Sequence, residues 1–85
     1  MADRSETAGI VRDAIAKLWP DRFDERQLGD SVSLGDGGLG LDSIEIVELV
    51  LDSAERVGVP GYDADELLDA GPVTLGRLID HLAAA

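Results

Sequence analysis

Leu41-Asp42-Ser43-Ile44-Glu45-Ile46-Val47-Glu48-Leu49-Val50-Leu51 is the stretch on which the fold turns, and Gly37-Gly38-Leu39-Gly40 runs directly into it. A flexible glycine-rich lead-in stops, an Asp-Ser pair follows, and an apolar-periodic helix begins. Asp42 or Ser43 can accept a hydrogen bond from the backbone N–H groups that a first helical turn leaves without intrahelical partners. Ile46, Leu49, Val50, Ser53 and Val57 fall on one stripe of a helix over residues 43–57, which predicts its core side. Ile44, Val47, Glu48, Leu51 and Glu55 form a second stripe. In the bland reading these residues pack under a loop or a short helix. In the functional reading Ile44, Val47 and Leu51 are an apolar strip rimmed by Glu45, Glu48 and Glu55 and offered to a partner. Weighing the two predicts Val47 mostly buried, with Ile44 and Leu51 mostly presented.

Upstream, residues 21–42 carry no sustained helical or strand period, a long connection for a small domain. Phe23, Leu28, Val32 and Leu34 are apolar anchors along it, and a short helical turn fits residues 24–28. Before that, Val11, Ala14, Ile15 and Leu18 recur at helical spacing, so a helix is expected from Ser5 or Thr7. Arg12, Asp13 and Lys17 fall on its other side, with Asp13 and Lys17 a favourable i,i+4 pair. Trp19-Pro20 ends it, because the residue before proline is pushed out of helical geometry. Residues 1–5 are expected to be disordered.

Downstream, Gly58-Val59-Pro60-Gly61 stops the central helix. Residues 63–68 predict a short helix with Asp63, Asp65 and Glu66 in its first turn, where the helix dipole favours acids. Thr74 reads as the cap of a last helix whose core face is Leu75, Leu78, Ile79 and Leu82. The fold expected is all-α: one domain over residues 1–85, four helices with the third one short, and a long first loop.

Eighty-five residues with 45% hydrophobic and only 4% aromatic content build a core from Leu, Ile, Val and Ala, which suits a helical bundle. The absence of cysteine excludes disulfides and thiolate metal sites. Any thiol chemistry must come from an attached group. With 18 acidic against 7 basic residues the net charge is −11, which disfavours nucleic acid and favours encounter with basic protein surfaces. No stretch is long enough to cross a bilayer, and Met1-Ala2-Asp3-Arg4-Ser5-Glu6 lacks the pattern of a secretory signal, so a cytoplasmic monomer is expected.

Gly38-Leu39-Gly40-Leu41-Asp42-Ser43-Ile44, followed by Glu45 and Glu48, resembles the modification site of acyl carrier proteins. The resemblance extends from about Ile10 to Leu82, because the helix spacing on both sides also fits. Ile44 stands where leucine is more usual. The resemblance implies a carrier and not an enzyme, with 4′-phosphopantetheine joined to Ser43 through a phosphodiester. It implies a phosphopantetheinyl transferase as modifying partner. An acyl-loading ligase or acyltransferase, and ketosynthases or other synthase enzymes of fatty-acid or polyketide type, would follow. Asp42 would assist the transferase by holding the magnesium that accompanies coenzyme A. Glu45, Glu48 and Leu51 match positions that the family presents to partners, whereas Ser53 and Ala54 depart from its bulkier, more acidic pattern.

Competing readings of the same residues are weaker. A plain N-cap serine explains Ser43 locally, but not the joint pattern around it. Leu-Asp-Ser-Ile-Glu lacks the glycines of a nucleophile elbow, and the glycine run ends without the Lys-Ser/Thr pair of a phosphate-binding loop. The acids at 63–66 lack the ligand spacing of a calcium loop, so no metal site is assigned. Two alternatives stay open. One is a peptidyl or aminoacyl carrier loaded by an adenylating ligase, against which Asp42 leans because histidine is frequent there in that class. The other is an unmodified acidic adaptor that binds through Ile44, Val47 and Leu51.

Overall fold

The computed structural model describes residues 3–58 and 73–84, and among these the chain is all-α. Among the described residues there are three α-helices, α1 (Arg4–Leu18), α2 (Ser43–Val57) and α3 (Leu75–Ala84), together with one 3₁₀ turn at Glu25–Gln27. The short helix expected over 63–68 and the acids Asp63, Asp65 and Glu66 lie outside the described residues.

Each helix forms where its apolar period predicts. In α1, Val11, Ala14 and Ile15 are fully buried, and Leu18 packs against the core edge. Asp13 and Lys17 pair at 3.2 Å on the outer side. Trp19 caps the helix in a non-helical conformation, its N–H donating to the Ile15 carbonyl, one residue before the proline. The start of α1 corrects the expectation of disorder over 1–5. Asp3 is its N-cap, accepting from the Glu6 amide at 2.8 Å, and Arg4 and Ser5 are helical. The physical reason is distant in sequence: the Arg4 guanidinium pairs with Asp30 in the long loop and with Asp80 on α3. Met1 and Ala2 lie outside the described residues.

In α2, Ile46, Leu49, Val50, Ser53 and Ala54 are buried and Gly58 ends the helix at φ +95°, its N–H donating to the Ala54 and Glu55 carbonyls. In α3, Leu75, Leu78, Ile79 and Leu82 all point inward, as the spacing predicts. Helix α1 packs against both of the others, which touch each other less.

Segment 19–42 is not a slack connection. Leu28, Leu34, Leu39 and Leu41 enter the core, with Phe23 and Val32 packed at its edge. Its carbonyls also meet the free amides at the start of α3: Leu75 N–H donates to Val32 O and Gly76 N–H to Asp30 O, both at 2.9 Å. Leu34 N–H returns to Val73 O at 2.9 Å, completing an antiparallel bridge between Ser33 and Thr74. Thr74 Oγ1 takes the Arg77 amide at 3.2 Å. The loop therefore supplies the N-terminal cap of the last helix, which satisfies both partners at once. Asp30 sits at this junction, bound by Arg12 as well as by Arg4.

Two core hydroxyls, Thr7 Oγ1 and Ser53 Oγ, are buried without a hydrogen-bond partner. An unpaired buried hydroxyl costs on the order of 1–2 kcal/mol. Ser53→Ala removes that penalty and improves helix propensity, so it is expected to stabilise the fold by about 1 kcal/mol. A denaturant titration of parent and variant measures this, and a loss of stability would mean that Ser53 makes a compensating interaction in solution.

Candidate functional site

The site is the start of α2, and it is built from the backbone outward. The 33–41 loop closes on itself: Leu39 N–H donates to Ser33 O at 2.8 Å and Leu41 N–H to Leu34 O at 2.9 Å. Gly37 and Gly40 take positive φ, at +83° and +71°, which glycine adopts without a Cβ clash. The lead-in is thus tied back on itself by backbone hydrogen bonds. Its hydrogen bonds and the buried Leu39 and Leu41 fix where the chain enters the helix.

At that entry Asp42, and not Ser43, is the N-cap. The Asp42 carboxylate accepts the Glu45 amide at 2.8 Å, while Glu45 Oε1 accepts the Asp42 amide at 3.1 Å. This reciprocal capping box leaves Ser43 as the first residue inside the helix. Ser43 is exposed, and its hydroxyl and backbone amide, like the amide of Ile44, donate to no group among the described residues. An exposed hydroxyl therefore stands beside free amides at the positive end of a four-turn helix, an environment that suits an attached anion.

Glu45 has a second partner. Its Oε2 accepts from Arg22 Nη1 at 2.7 Å, so the side chain is only 25% exposed. The backbone amide of Asp42, and after it the Arg22 guanidinium, hold the Glu45 carboxyl below the ordinary glutamate range. Both carboxylate oxygens of this rim residue are thus committed within the chain. A group whose folded pKa is depressed adds stability that is present at neutral pH and lost as pH falls through the folded value. Glu45→Gln keeps the capping geometry and loses the ion pair. The stability difference between parent and Glu45→Gln is expected to close as the pH is lowered below the glutamate range. Denaturation midpoints across an acid series check this, and parallel curves for the two proteins would contradict it.

The rest of the second α2 stripe falls as the pattern predicts. Ile44 is 76% and Leu51 48% exposed, Val47 is half-buried against the core, and Glu48 and Glu55 are exposed. Ile44 and Leu51 are the large exposed apolar side chains among the described residues. What the sequence did not single out is Arg22. Asp21 takes φ +63°, a conformation Asp tolerates better than most residues, and Arg22 follows it out of the α1 terminus. Its guanidinium lies 5.9 Å from the Trp19 ring centroid and 5.1 Å from that of Phe23, two rings that meet edge to face. Arginine among aromatics just after a helix-ending Trp-Pro was the available signal, but its target on α2 was not.

A cleft of about 580 Å³ lies along α1, lined by Gly9, Arg12, Asp13, Ala16, Phe23 and Leu28. His81 is half-buried on α3. Among the described residues no three acidic, histidine or cysteine side chains gather to hold a metal ion, and no helix is long and apolar enough to cross a membrane. Comparison with protein-family models, with curated proteins and with solved structures gives no match.

Proposed function

We propose that this chain is an acyl carrier protein, carrying 4′-phosphopantetheine on Ser43 and acting as a shuttle and not an enzyme. One observation carries the reading: Asp42 and Glu45 cap α2 between them, so Ser43 is exposed and has no structural task at a position where a capping serine would have been the ordinary explanation. The surroundings fit the group. Ser43 Oγ would hold the phosphodiester, and the amides of Ser43 and Ile44 are free to face it. In the transfer, Ser43 Oγ bonds to the pantetheine-side phosphorus of coenzyme A, the pyrophosphate bond breaks, the nucleotide leaves, and the serine proton passes to the transferase. Once attached, the arm supplies the thiol that this cysteine-free chain lacks.

The chain's own contribution is presentation. Ile44 and Leu51, with Glu48 and Glu55 beside them, give a partner a small apolar contact inside a negative field. A contact of that kind supports fast, electrostatically guided and short-lived docking, as suits a protein that visits a phosphopantetheinyl transferase, a loading ligase or acyltransferase, and synthases in turn. A tethered cargo then reacts as if intramolecular. The exposed Ile44 and Leu51 equally favour a second reading, an unmodified acidic adaptor using the same strip.

Intact mass after incubation with a broad-specificity phosphopantetheinyl transferase, magnesium and coenzyme A separates the two. A single phosphopantetheine addition is expected on the parent and none on Ser43→Ala, with both proteins equally helical by circular dichroism. No addition to a folded parent would defeat the carrier reading and leave the adaptor.

A further inference from the structure

Building on the carrier reading, we infer that Arg22 is the counter-ion of the phosphodiester on Ser43. Arg22 is held by a cradle: Trp19 and Phe23 flank its guanidinium, and Glu45 takes one end at 2.7 Å. Of the five N–H donors of an arginine, this contact uses one. The other four meet no acceptor among the described residues, and the side chain is 40% exposed.

The position is informative. Glu45 Oε1 binds the Asp42 amide, so the Arg22 guanidinium is one carboxylate removed from the residue preceding Ser43. In a chain of net charge −11, an added phosphodiester anion near Asp42, Glu45 and Glu48 is repelled by those acids, and a nearby cation offsets that repulsion. The other ion-paired cations are engaged elsewhere: Arg4 and Arg12 at Asp30, Lys17 at Asp13, Arg56 at Asp52 and Asp13. Among the described residues, Arg22 is the cation paired to the first turn of α2. The planar fork of a guanidinium can bridge two oxyanions, which a lysine ammonium does less well. Arg22 thus keeps Glu45 through Nη1 and turns its remaining donors to the phosphodiester, orienting the root of the arm. It is a positioning residue.

The test uses the full chain as parent, Arg22→Gln, Arg22→Lys and Glu45→Gln. Each is loaded from coenzyme A and checked by intact mass. The phosphorus NMR resonance and the Arg22 Nε–Hε correlation are then recorded before and after loading. In the parent, loading is expected to shift the Arg22 Nε–Hε peak. The phosphorus resonance is expected to move in Arg22→Gln, to move less in Arg22→Lys, and to stay near the parent position in Glu45→Gln. That last variant breaks the same ion pair but leaves the guanidinium free for the phosphodiester. Coincident phosphorus resonances in parent and Arg22→Gln, with an Arg22 peak unmoved by loading, would overturn the inference and leave the carrier reading standing. A Glu45→Gln shift equal to that of Arg22→Gln would also overturn it, because Arg22 would then act only by bracing the helix start. A parent that gains no mass refutes the carrier reading, and this inference with it.

Discussion

Gly38→Ala is expected to destabilise the fold by about 3 kcal/mol, more than any other single glycine substitution in the 33–41 loop. A Cβ at Gly38 would lie 2.0 Å from the Ser33 carbonyl oxygen and 2.7 Å from the Ser33 carbonyl carbon and nitrogen. All three are backbone atoms, and Ser33 O already holds the Leu39 amide at 2.8 Å. The clash cannot be relieved by turning a side chain. The loop must open, taking the Leu39 and Leu41 anchors and the entry to Ser43 with it. Gly35→Ala is the matched control, since its Cβ would meet the Leu41 carbonyl at an ordinary 3.7 Å. It should change stability by no more than about 0.5 kcal/mol. Denaturant titrations of the two variants, followed by far-ultraviolet circular dichroism, decide the matter. Equal midpoints would show that the 33–38 approach is looser in solution than the structure has it.

Leu34→Ala should have a comparable effect, again about 3 kcal/mol, the ordinary range for truncating a fully buried leucine. Leu34 is completely buried although it belongs to no helix or strand. Its backbone also joins two neighbours, donating to Val73 O and accepting from Leu41 N, each at 2.9 Å. A cavity here therefore loosens the join between the loop and the start of α3 as well as the core. Leu51→Ala, at a side chain 48% exposed on α2, is the contrast and is expected to fall within about 0.5 kcal/mol of the parent. For a small domain whose total stability is of order 5–10 kcal/mol, a 3 kcal/mol loss would be plain in thermal or denaturant unfolding. If Leu34→Ala were as mild as Leu51→Ala, the 19–42 segment would be a covering and not a part of the core.

Both predictions fall in the part of the chain with no secondary-structure period, and that bears on the proposed carriage of cargo. A serine delivered by a slack loop would be presented in many orientations. Here the close approach at Gly38, the positive φ of Gly37 and Gly40 and the Asp42–Glu45 capping box fix the serine's place at the helix end. The exposed Ile44 and Leu51 are then displayed from the same capped helix.

The helices were legible in the sequence because helix information is local. Alternation of Ile46, Leu49, Val50 and Ser53 with exposed neighbours, an Asp-Ser entry and a Gly58 exit mark α2 from end to end, and each signal acts within a turn or two. The exposed strip of Ile44 and Leu51 was legible for the same reason. The choice between Asp42 and Ser43 as cap was not, because both can accept the bond and only the packed helix start selects one. Nor could the pattern reveal that Arg4 is ordered by Asp30 and Asp80, that Glu45 is held by Arg22, or that within the 33–41 loop a side chain has room at Gly35 but not at Gly38. Sequence alone determined the all-helical class, the described helices with their core faces, and Ser43 as the residue to ask about. Tertiary structure decided how the loop is anchored and what surrounds that serine. The loop is held by backbone bonds such as Leu75 N–H to Val32 O and by ion pairs between distant segments, and these join residues that leave no periodic mark on the chain between them.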